Sequence, residues 1–86
     1  MNDYQPIACA IHEQYQYAVL KRAWLDLEWE EEAGGIRSEH LLPKDVQTRN
    51  RAEYLLAESR TGSRLEIRLD RIKRASWVEG GVKILG

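Results

Sequence analysis

The chain has no phenylalanine, one cysteine, one methionine and two prolines in 86 residues. Each scarcity excludes something. Cys9 has no internal partner for a disulfide, and no Cys/His spacing matches a zinc site. No apolar run approaches the ~18–20 residues that cross a bilayer, and the N-terminus lacks the basic and apolar pattern of a secretory signal. The expectation is a soluble chain in the reducing cytoplasm, with no membrane partner. No phosphate-cradling loop is present either, because Gly34-Gly35 and Gly80-Gly81 read as turns. His12 and His40 are far apart in sequence, and no Ser or Cys stands in a nucleophile motif. No enzymatic activity, metal or cofactor is expected.

The chain also lacks an excess of charge. Thirteen bases against fourteen acids leave a net charge of −1, with a pI near 6.1, well below the basic range of nucleic-acid binders. The distribution is uneven, however. Residues 1–46 hold nine of the acids and only Lys21, Arg22, Arg37 and Lys44 as bases, and residues 47–86 reverse this with nine bases and five acids. Such asymmetry makes an acidic and a basic face, unless strands from the two halves interleave and mix the charges.

Hydrophobic residues make up 43% and charged residues 31%, with three Trp and four Tyr supplying the aromatic bulk. This is the composition of one small globular domain. Ile11, Tyr15, Ala18, Val19 and Arg22 recur at helical spacing and predict a helix over 10–22, preceded by an extended arm over 1–9. Lys21 and Arg22 suit its C-terminal end, and the start lacks a capping residue. From Trp24 the period falls to two. Leu25, Leu27 and Trp29 alternate with Asp26, Glu28 and Glu30, predicting a half-buried strand. Further strands are expected over 36–41, 53–59, 64–70, 72–78 and 82–85. The turns between them fall at Gly34-Gly35, Pro43–Asp45, Thr61-Gly62-Ser63 and Gly80-Gly81. The fold class is therefore mainly β (α+β): an N-terminal helix, then a small, strongly bent antiparallel barrel of five to six strands. Closure would remove exposed edges.

Three features could carry function. The acids Asp26, Glu28, Glu30, Glu31 and Glu32 either pair with a basic protein or form a solvated strand face that runs into a loop. Arg49, Arg51, Arg60, Arg64, Arg68, Arg71 and Arg74 could serve an RNA-binding groove, but acids interleave with them and direct nucleic-acid binding is not expected. Tyr17, flanked by Glu13, Gln14 and Gln16, falls outside the apolar stripe and suits a protein contact. Cys9 reads as a buried structural thiol.

Asn2-Asp3-Tyr4-Gln5-Pro6-Ile7 with Cys9, Asp45-Val46, Arg49-Asn50 with Glu53-Tyr54-Leu55, and Leu69-Asp70 with Ile72 occur in that order. In order and spacing they resemble the Rho-binding antiterminator family, small bacterial proteins that bind the transcription terminator Rho and inhibit it. The resemblance covers roughly residues 2–84. It implies an Sm-like fold and a protein-binding inhibitor that occupies the RNA-binding N-terminal region of Rho; a monomer is expected. Typical members carry several acids at the helix start. Here those positions read Ala10, Ile11 and His12, Glu13 keeps a carboxylate, and Gln16 replaces another acid. The implied partner-binding set is therefore Glu13, Gln16 and Tyr17, with Glu30, Glu31 and Glu32 from the loop. The alternatives are an Sm-like RNA-binding module and an adaptor for another basic protein.

Overall fold

The computed structural model describes residues 4–86; the Asn2-Asp3 pair and residues 1–3 of the expected arm lie outside the described residues. Helix α1 (Cys9–Lys21) is followed by β1 (Leu25–Glu30), β2 (Ile36–Arg49), β3 (Ala52–Ser59), β4 (Arg64–Arg68), a single 3-10 turn (Leu69–Arg71), β5 (Ile72–Trp77) and β6 (Lys83–Leu85). All strand pairs are antiparallel, in the order β4-β3-β2-β1-β5-β6.

α1 forms where the helical period predicts, and its stripe buries Tyr15 and Ala18 completely, with Ile11 and Val19 half-buried. A helix of 13 residues is marginal on its own, so packing, chiefly against β2, must hold it. No side chain caps its start. Its end is a Schellman turn: the Ala23 amide donates to the Ala18 carbonyl at 3.0 Å and the Arg22 amide to that of Val19 at 3.1 Å. Arg22 takes the left-handed conformation, φ 54 and ψ 44, that this turn demands and that glycine usually supplies.

The two-residue alternation of β1 puts Leu25, Leu27 and Trp29 in the core. β2 departs from expectation. Strand and turn were expected on either side of Pro43, yet one strand of 14 residues runs through. Its first part pairs with β1 from Ile36 to Leu41 and its second with β3 from Leu41 to Arg49. The register shifts between Pro43 and Asp45. Pro43 lacks an amide proton and is accommodated at this bulge, which bends the strand instead of ending it. The polar stretch 47–51 likewise proves to be strand and hairpin. Arg49 pairs with Ala52, and Asn50 and Arg51 between them have φ of 50 and 64, the signature of a two-residue primed turn built without glycine.

The hydrogen-bonded order ends at β4 and β6, so the sheet is not closed into the barrel expected from the sequence. β6 is short, pairing with β5 only at Ala75 and Ser76, and it does not reach β4. The core gathers Tyr15, Leu25, Leu27, Leu41, Leu55 and Leu69, all essentially inaccessible. Each such side chain contributes about 1.5–3 kcal/mol of burial. The Tyr15 hydroxyl is buried there without a hydrogen-bond partner among the described residues, and burial pushes its ionisation well above the ordinary tyrosine value.

Candidate functional site

The outward face of α1 carries Glu13, Gln16 and Tyr17 at i, i+3 and i+4, all exposed. Leu20, one turn further on, extends that stripe and is 76% exposed. The Tyr17 ring leans on Trp77 of β5, centroids 6.0 Å apart and tilted by 33°. The Lys21 ammonium lies over the Tyr17 ring at 5.5 Å. Glu13 and Tyr17 line a groove of about 660 Å³ with Ala10, Gln14, Trp77 and Val82. Gln16 stands outside it.

Glu30, Glu31 and Glu32 occupy the β1–β2 hairpin and border a different concavity, of about 340 Å³, with Trp29, Arg37 and Arg71. The two groups are separated along β1. Trp77, beneath Tyr17, pairs with Leu25 at one end of that strand, and Glu30 is at the other end. Five residues of strand make roughly 16 Å. The six residues singled out in the sequence thus form two clusters. Within the second, Glu31 is already drawn to Arg37 at 3.5 Å, and Arg37 also binds Glu39.

The charge asymmetry of the two chain halves does not survive folding. The acidic strand β1 lies between β2 and the basic strand β5, and Arg74 binds Asp26 across that boundary at 3.1 Å. Arg49 binds Glu66, and Arg68 binds Asp70 at 2.7 Å. Three of the arginines considered for an RNA groove are therefore paired with carboxylates. Cys9, the first residue of α1, is exposed and not the buried thiol expected, because the helix buries Tyr15 and Ala18 further along. Among the described residues no three His, Cys, Asp or Glu side chains gather as metal ligands, and no helix is long and apolar enough to cross a membrane.

The N-terminal arm is tied to the sheet by polar contacts. The Tyr4 hydroxyl donates to the Glu53 carboxylate at 3.0 Å, and His12 on the first turns of α1 meets the other oxygen of Glu53 at 2.6 Å. The Gln5 amide donates to Asp70 at 3.1 Å, and the same carboxylate takes two bonds from Arg68. Burial, the bond to Glu53 and the nearby negative charges of Glu53 and Asp70 push Tyr4 well above the ordinary tyrosine value. At Asp70, burial favours the neutral acid, but the Arg68 and Gln5 hydrogen bonds with the Arg68 and Arg71 charges outweigh it and hold the carboxyl below its ordinary value. Tyr4 and Gln5 belong to the first of the resembling sequence segments, Glu53 to the one around Arg49–Leu55 and Asp70 to the one around Leu69–Ile72. The blocks meet here.

Sequence reasoning missed the surface beyond Trp77. Arg60, just after β3, lies 4.2 Å over the Trp24 ring, and a second groove of about 590 Å³ runs between Lys21, Arg22, Trp24, Arg60, Trp77 and Val78. Trp24 and Arg60 are brought together by register alone, since Leu25 and Ser59 both pair with Leu41. Comparison with family models and with curated proteins finds no match to this chain.

Proposed function

We propose that this chain is a small, monomeric, non-enzymatic cytoplasmic regulator that binds the transcription termination factor Rho at its RNA-binding N-terminal region and inhibits Rho-dependent termination. One observation supports this reading above the others. The sequence blocks that resemble the Rho-binding antiterminators converge in space, with Tyr4 on Glu53 and Gln5 on Asp70, so the resemblance falls on one connected unit of structure. Beside that junction α1 turns Glu13, Gln16 and Tyr17 outward, where a carboxylate and an amphipathic ring can meet a basic RNA-binding surface. Glu30, Glu31 and Glu32 are the second contact, at a separation that an interface of about 800 Å² per partner spans. The finer architecture, Sm-like, belongs to the same proposal and is supported by the single bent β2 that serves both β1 and β3.

The action is occlusion: RNA cannot load where the regulator sits, and no bond is made or broken. The test is titration of labelled protein with Rho at low salt, where electrostatic pairing is strongest, followed by competition with RNA. Saturable binding that RNA reverses is expected. Absence of binding at micromolar Rho discards the proposal.

A further inference from the structure

Four of the thirteen cations hold carboxylates, and of the nine without an ion pair among the described residues Lys21, Arg22 and Arg60 stand together. Arg37, Arg49, Arg68 and Arg74 each hold a carboxylate. Lys21, Arg22 and Arg60, gathered at the C-terminal end of α1, have none within ion-pair distance among the described residues; Lys21 and Arg60 lie over aromatic rings instead. Their charge is therefore unspent. Arg22 adds a second oddity, because it holds a left-handed conformation that glycine would take at lower cost. Strain kept at an exposed cation is a reason to look for a ligand.

The surface around these cations is apolar. Tyr17 is 52% exposed and Val82 58%. With Trp77 they line the groove of about 660 Å³, which adjoins the basic groove through Trp77 itself. The geometry points to a docking site for an acidic segment of a partner protein. A large apolar side chain of that segment sits against Trp77, Tyr17 and Val82, and flanking carboxylates meet Lys21, Arg22 and Arg60. Charge complementarity selects this occupant: Arg guanidinium on a ring presents a planar fork that matches a carboxylate. A run of nucleic-acid phosphates is disfavoured by the net charge of −1 and the pI near 6.1, below the basic range of nucleic-acid binders. The partner differs in chemistry from the basic surface proposed for Rho; Tyr17 and Glu13 border both contacts, and the three cations belong to the second alone.

The test is fluorescence anisotropy of a labelled short peptide in which Leu and Phe are flanked on both sides by Asp and Glu. Two further probes accompany it: the same peptide with Lys in place of every acid, and a labelled oligouridylate. The acidic peptide should saturate and weaken with added salt, and the Lys peptide should not bind. The double variant Lys21→Glu, Arg60→Glu should lower affinity at least about tenfold while its urea midpoint stays that of the parent. The proposal is overturned if the two peptides bind alike, if the acidic peptide does not saturate below about 1 mM, or if the oligouridylate binds more tightly. Rho is absent from the titration, so the outcome is independent of the Rho reading.

Discussion

The two ends of α1 are held by opposite chemistry. At its start polar groups are matched in pairs: His12 and Tyr4 share Glu53, and Gln5 and Arg68 share Asp70. At its end Lys21, Arg22 and Arg60 surround Trp77 and Trp24 with no carboxylate within ion-pair distance among the described residues. Matched polar groups are spent on holding the chain together, and their removal should show in stability. Unmatched ones contribute little to folding and are available to a partner. The comparison separates the residues that specify the fold from those on which function is proposed to rest.

The largest expected effect tests that separation directly. Glu53→Ala leaves the Tyr4 hydroxyl and His12 without their shared acceptor in a half-buried site, and should cost about 1–2 kcal/mol in urea unfolding. Arg60→Glu, on the other side, should stay within about 0.5 kcal/mol of the parent. Equal losses would erase the distinction between the two ends.

Acid should loosen the first end only. Asp70 is held below its ordinary value of 3.8 in the folded protein. Its contribution is therefore fully present above that pH and is lost as pH falls through the lower folded value. Protection of the Gln5 amide, whose N–H is bonded to Asp70, should fall in that window relative to the intrinsic exchange rate at the same pH. Asp70→Asn should remove this pH dependence, and an unchanged acid profile in that variant would contradict it.

A smaller effect has the opposite sign. Arg22→Gly relieves the left-handed backbone at the helix end and should raise stability by about 0.5–1 kcal/mol. It should also weaken the acidic peptide. A variant that is more stable and binds less well would show that Arg22 is kept for contact and not for the helix. A loss of stability would show the reverse.

The helix and the strand faces were legible because their periods are local. Tyr15 and Ala18 lie four and seven places on from Ile11, and Leu25, Leu27 and Trp29 alternate as a half-buried strand must. Two irregularities were not legible. Pro43 looked like a stop and is a bulge, since only the pairing partner reveals whether a strand continues past a missing amide proton. Asn50-Arg51 lacks the glycine that normally marks a two-residue hairpin. The outward placing of Glu13, Gln16 and Tyr17 followed from the same helical period, and their choice as partner-binding residues from the family resemblance. Trp24 and Arg60 did not, because 36 positions of sequence separate them and only the shared pairing to Leu41 makes them neighbours. Leu20 was overlooked because a lone leucine off the buried stripe carries no local signal.

The central claim is that the outward face of α1 engages Rho. The most direct measurement is the dissociation constant for Rho of the parent and of Glu13→Lys, compared at equal, low ionic strength. Charge reversal at the one carboxylate left at the helix start should weaken binding by about tenfold or more without altering the urea midpoint. A dissociation constant unchanged by Glu13→Lys would contradict the account by removing that face from the contact.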